Sequence, residues 1–368
     1  MINKNAIYSP CHTLAALVLF CYLETAMGNF MNFGYHAEGI ATFIQVQYTA
    51  ISSDSTGREL AAAWILAKYH NWWLRMNFST FSFQLSQPSQ CLSADFMNLL
   101  HLINARRAIV TSILCESYRI STIALLQLAL DGRQTPQITI DGCITSLEAE
   151  SKKLDDWHSA LSQSELPIEI PSDTEPVEQS EIRPLLFKSQ DLAMNYAYYI
   201  SSRIMQYTGS IYELHSSYHG FNEPEKEILT HWMTILLRIV AGLGKEECSR
   251  ANVYSIGATS LLVACLLRCN NAVLGRWIEN WLHEWEALSN FEEGSFPIIQ
   301  ALAVVRLVNE ERANGNNVYM IALPEDDGGG NGKYVSYNSQ RIDRISLMGI
   351  RRSSGRLYSE LIPISLRK

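Results

Sequence analysis

The sequence predicts an all-α protein, a multi-helix array or bundle with an acidic, proline-rich connector and a short irregular C-terminal tail. Three observations predict it. Apolar residues recur at helical spacing through most of the chain. Gly, Asn and Asp punctuate the ends of those runs. The 368 residues are 47% hydrophobic and 10% aromatic but only 18% charged, which argues against disorder and for extensive apolar burial or an apolar cavity.

Residues 1–163 read as an N-terminal helical half. From Thr13 to Met27 the positions Leu14, Leu17, Val18, Cys21 and Tyr22 keep the 3.6-residue period, and Gly28-Asn29 ends the run. A second helix is expected from Phe33 to Tyr48. Asp54-Ser55 offers a cap for a third from Glu59 to Asn77, centred on Trp72-Trp73. Asp95 to Leu130 is one long helical pattern with room for a single break, stopped by Asp131-Gly132. Ile144 to Ser162 continues it and carries Asp155-Asp156-Trp157.

Composition then changes. Residues 164–184 hold four prolines and six acids against the single base Arg183. Proline blocks helix and the acids repel, so an extended surface connector is expected. Residues 185–323 read as a C-terminal helical half packed on the first, with helices at Leu185 to Tyr207, from Glu223-Pro224 through Gly242-Leu243-Gly244, Asn252 to Asn270, Val273 to Leu288 and Pro297 to Asn314. Trp277, Trp281 and Trp285 are spaced to share one helix face. Residues 324–368 form a Gly-rich hinge, Asp326 to Lys333, and a basic tail whose weak alternation suits short strands. Its Arg341, Arg344, Arg351, Arg352, Arg356, Arg367 and Lys368 read as a solubilising, loosely ordered charge run.

Acids outnumber bases 37 to 29, for a formal charge of −8. That balance disfavours generic nucleic-acid binding, which needs clustered Lys and Arg, and no DNA-binding residue is assigned. The eight cysteines form no C-x-x-C pair and sit mostly in apolar stretches, as buried small hydrophobes of a reducing compartment do. The apolar runs Leu14–Leu23 and Ile256–Leu267 are too short to span a bilayer, so a soluble chain without a membrane partner is expected.

Enzymatic signatures are sparse. The chain has no Gly-x-Ser-x-Gly elbow, Walker loop or dinucleotide glycine fingerprint. His215 and His219 share a helix face where zinc can bind, but Ser216 and Ser217 follow His215 and no third ligand is assignable. No metal and no cofactor is therefore expected. Asp155, Asp156 and His158 suit acid–base chemistry, but Trp157 among them reads as an anchor that leaves the charges in solvent. Tyr69, Trp72 and Trp73 on one helix and the three tryptophans on another read first as core. Large aromatics in bundles also line cavities for apolar ligands, and His36, His70, Trp73 and Arg75 are the candidate ligand-binding residues at such a cavity's rim.

Four stretches together resemble a known family. Leu14 to Ala41 carries Tyr22, Glu24, Gly28, His36 and Gly39 in order; Glu59 to Arg75 is an aromatic-rich helix; a Trp–Leu–Pro passage runs from Trp157 to Pro171; and Asn195 to Gln206 follows the connector. Over about residues 10 to 310 this order resembles the fungal-specific regulatory domain of zinc-cluster transcription factors. The family's six-cysteine zinc cluster has no counterpart here. The resemblance implies a transcription-factor-like regulator without its own DNA-reading element, in the nucleus or alternatively the cytoplasm, tied to a specialised-metabolite pathway. It would sense an apolar small molecule, or bind a protein partner or a second copy of itself. A helical pocket of this kind would alternatively serve a stand-alone, cofactor-independent cyclase, since orientation alone supplies much of the barrier reduction in such reactions.

Overall fold

In the computed structural model of the chain, residues 9–27, 29–129, 139–169, 182–214, 223–287, 292–325 and 344–364 are described. Gly28, Asp131, Gly132, the His215/His219 pair, the hinge from Asp326 to Lys333, Arg341, Arg367 and Lys368 lie outside them, as does the middle of the acidic connector.

The first layer is α1 (Pro10–Ala26), α2 (Phe30–Val46), the short α3 (Tyr48–Ser53) and α4 (Ser55–Asn77). Asn29 accepts from the Asn32 N–H to start α2, so that helix begins a turn before its first periodic residue. Asp54 caps α4 through the Gly57 N–H at 3.1 Å, as the sequence suggested. Apolar α1 residues such as Leu14, Val18 and Cys21 pack on α4, whose Trp64, Tyr69 and Trp73 are fully buried.

After α5 (Phe81–Leu85), the long pattern from Asp95 is broken once, into α6 (Ala94–Leu102) and α7 (Arg106–Ala129). Asn104 makes the break. It adopts φ 51° and donates to the His101 carbonyl, while the Ala105 N–H reaches back to Leu100 at 2.9 Å. Asparagine is one of the few side chains that enters this left-handed region readily. The helix α7 is the axis of the fold, buried continuously from Ala108 to Leu126. By length and composition it could cross a bilayer, but its apolar window lies wholly inside the fold. It packs against α4, α5 and α6, then α8 (Ile140–Ser159), α9 (Gln190–Gln206) and α10 (Gly209–Leu214).

The described ends of the connector are extended and tied down. Ile168 and Leu186 form an antiparallel bridge, so α9 starts at the Ser189 cap rather than at Leu185. Arg238 of α11 (Glu223–Ala241) holds Glu169 and the Arg183 carbonyl. The segment expected as one helix from Asn252 to Asn270 is helical only in part. The short helix α12 (Lys245–Ala251) is followed by turns, and α13 covers only Ala258–Leu266. Next come α14 (Ala272–Ala287), the ribbon β1 (Glu292–Glu293) and β2 (Phe296–Pro297), and α15 (Ile298–Ala313). Gly257, at the N-cap of α13, has no side chain to offer. The buried Glu293 carboxylate caps the helix instead, accepting from Ala258 N at 2.9 Å and Thr259 N at 2.7 Å.

The tail is more regular than the sequence suggested. Strands β4 (Arg344–Arg351) and β5 (Arg356–Pro363) pair antiparallel, and β4 pairs with β3 (Asn316–Ala322) immediately after α15. Instead of a loose charge run, this stretch buries Leu347 and Met348, and Met348 packs with Tyr319 and Met320 around the C-terminal end of α7. Arg268, fully buried just past α13, bonds Ser121 and Thr122 of α7 and the Tyr319 carbonyl of β3, each at 3.0–3.1 Å. One continuous hydrophobic cluster runs from Leu14 to Leu347, so both helical halves share a core. Seven of the eight cysteines are buried and all are free thiols; Cys91 is exposed.

Candidate functional site

Because Asn104 turns the chain, α6 diverges from α7 and leaves a wedge that α8 and the loop 86–93 close. The wedge holds a cavity of about 430 Å³, within the size range of small-molecule sites, roughly 300–1,000 Å³. Leu92, Met97, Ile109, Ile113 and Trp157 supply an apolar wall; Glu116, Glu150, Lys153, Asp156, Arg106 and His101 supply polar groups.

The polar end is built from two helical i, i+3 pairs. On α7, Arg119 grips Glu116 through Nε at 2.9 Å and Nη2 at 2.7 Å. The loop adds the Gln90 N–H at 2.6 Å and the Ser89 hydroxyl at 3.0 Å. Burial alone would lift the Glu116 carboxyl, but these donors and the guanidinium charge hold it below the ordinary carboxylate range. On α8, Lys153 bonds Glu150 Oε1, and the Cys91 thiol lies 3.7 Å from the same oxygen. Here burial dominates over the lysine and raises the Glu150 pKa. Burial also pushes the Cys91 thiol up, so it is a poor nucleophile despite its exposure.

The mouth is pinned by Trp157. Its indole N–H donates to the Arg106 carbonyl at 3.0 Å, and Arg106 bonds the Ala160 carbonyl and ion-pairs with Glu165 at 2.9 Å. Trp157 is thus the anchor its position implied. Of its neighbours, Asp155 pairs with Arg203, Asp156 stands exposed at the cavity, and His158 stacks on Tyr199 with ring centroids 4.6 Å apart.

The four sequence-predicted ligand residues lie elsewhere, and none lines this cavity. His36 is on α2, partly exposed, 3.7 Å from Glu24 and stacked on Phe20. His70 of α4 is buried and donates from Nε2 to the Gly294 carbonyl at 2.8 Å. Burial drives its pKa down to about 4, so it is neutral at physiological pH. Trp73 packs on Tyr118 in the core. The Arg75 guanidinium sits 4.0 Å over the Phe83 ring and donates to the Phe78 carbonyl. The aromatic helix α4 supports the cavity from behind: Tyr69 donates to the Gln90 carbonyl at 2.6 Å and holds the loop that carries Cys91 and Leu92.

Sequence reasoning missed Glu116, Glu150 and Lys153. The available signal was a pair of i, i+3 acid–base couples on helices with apolar neighbours, a pattern shared with any solvated helix face. Comparison with known protein families, with curated proteins and with solved structures finds no match for this chain.

Proposed function

We propose that this protein is a ligand-responsive regulator, a helical receptor that takes an apolar small molecule into the cavity between α6, α7 and α8. The observation that carries the reading is that cavity: a drug-sized space with an apolar wall, two acid–base pairs at one end and Arg106 at the mouth. A bound molecule would touch three helices and the loop at once, and α7, the axis of the core, would feel its presence. The resemblance of four stretches to the regulatory domain of zinc-cluster factors supports a nuclear role in controlling specialised-metabolite genes, through a partner that reads DNA.

A second reading is favoured by one observation. Glu150 is a buried carboxyl with a raised pKa on an apolar cavity, the disposition of a proton donor in a cofactor-independent cyclase or isomerase.

The test is deletion of the gene, complemented by wild type or by Ile113→Trp, which fills the cavity, with transcripts and metabolites of neighbouring genes measured together. Transcripts that fall on deletion and return with wild type but not with folded Ile113→Trp support the regulator. Unchanged transcripts refute it, and one accumulated intermediate that the purified protein converts would establish the cyclase.

A further inference from the structure

The charged end of the cavity is lopsided. Its arginine and lysine are already engaged, Arg119 on Glu116 and Lys153 on Glu150, and Arg106 at the mouth is held by Ala160 and Glu165. Of the carboxylates, Glu116 has both oxygens filled by Arg119, Ser89 and Gln90. Glu150 does not. Its side chain is only 5% exposed, Lys153 and Cys91 share Oε1, and Oε2 accepts no hydrogen bond among the described residues. That oxygen is not sealed from the cavity, so an entering donor can reach it and exchange water for a charge-assisted bond.

We propose that the ligand is a hydrophobic amine, its ammonium bonded to Glu150 Oε2 and its hydrocarbon body laid along Leu92, Met97, Ile109 and Ile113. This rests on the ligand-binding role proposed above. An anionic ligand would face Glu116, Glu150 and Asp156 with Arg106 and Lys153, the lining arginine and lysine, already paired. A neutral alcohol would fill the same volume but make a weaker bond than a charge-assisted one. Lys153, half exposed, can yield by swinging toward solvent as the ammonium enters.

The experiment is titration calorimetry at neutral pH on the full chain with three matched probes: 4-phenylbutylamine, 4-phenylbutan-1-ol and 4-phenylbutyrate. Wild type, Glu150→Gln and Ile113→Trp are compared, and circular dichroism melts confirm folding. Should Ile113→Trp not fold, Met97→Trp replaces it. The amine is expected to bind about tenfold tighter than the alcohol, with the carboxylate weakest. Glu150→Gln should abolish the amine's advantage while sparing the alcohol, and the cavity-filling variant should lose all three. An alcohol that binds as tightly as the amine, and is still lost on filling the cavity, overturns the ammonium assignment and leaves the receptor standing. No binding, or binding indifferent to Ile113→Trp, sinks both.

Discussion

Trp157 and Arg106 meet across the mouth of the cavity, the indole N–H donating to the arginine's backbone carbonyl at 3.0 Å. This bond ties the end of α8 to the first turn of α7 just past the Asn104 break. It converts a gap between diverging helices into a site with a defined width. Trp157→Phe keeps a ring in place but leaves the carbonyl without its donor. We expect a loss of about 1–2 kcal/mol in urea unfolding.

The buried Glu116–Arg119 pair should matter more. Arg119→Met leaves a buried carboxylate, for a cost of about 3–5 kcal/mol, measurable as a lower denaturation midpoint. Its pH dependence has a definite sign. The folded-state pKa of Glu116 is depressed, so the stability it contributes is present above the unfolded value of 4.5 and is lost as pH falls through the depressed one. Arg119→Met should therefore cost least in strong acid.

His70 sets a second window. Its pKa falls from 6.5 to about 4 on folding, so its contribution is fully present above 6.5 and disappears as pH drops toward 4. Linkage makes the difference roughly 3 kcal/mol. Wild type should lose more stability than His70→Gln between pH 7 and pH 4, in paired urea titrations. Equal losses would mean that folding leaves the His70 pKa unshifted.

Glu150 runs the other way. Its raised folded-state pKa means that the carboxyl favours the folded state in acid and opposes it as pH rises through that value. At neutral pH, Glu150→Gln is expected to hold or raise the melting temperature. A group that costs stability where an amide would fit suits binding better than architecture. A sharp fall in melting temperature would instead assign Glu150 to the fold.

The capping of α13 from a distant ribbon gives a further check. Glu293→Ala removes the acceptor for Ala258 N, Thr259 N and the Asn252 amide together. A cost of roughly 2 kcal/mol is expected, with faster amide exchange at Ala258 and Thr259 than elsewhere in the helix.

Most helices were legible because burial on one face imposes a 3.6-residue period, and even the Asn104 break fell inside the pattern that allowed one. Their ends were less so. Leu185 to Lys188 belong to an extended passage bridged to Ile168, and the turns from Asn252 to Gly257 exist to receive Glu293. Both depend on residues far along the chain. The sheet escaped for the same reason, since β3 pairs with a strand more than twenty residues later. The cavity was the least visible. Its lining is gathered from Cys91 to Ala160 across a loop and three helices, and a glutamate facing inward has the same spacing as one facing water. The large helical aromatics, Trp73 and Trp285 among them, fill the core.

The most direct measurement is methyl NMR of the purified protein titrated with 4-phenylbutan-1-ol. Shifts should concentrate at Leu92, Met97, Ile109 and Ile113 and be absent from a folded Met97→Trp variant. An unperturbed spectrum, or shifts confined to exposed residues of α1 such as Leu19 and Leu23, would contradict a receptor built on this cavity.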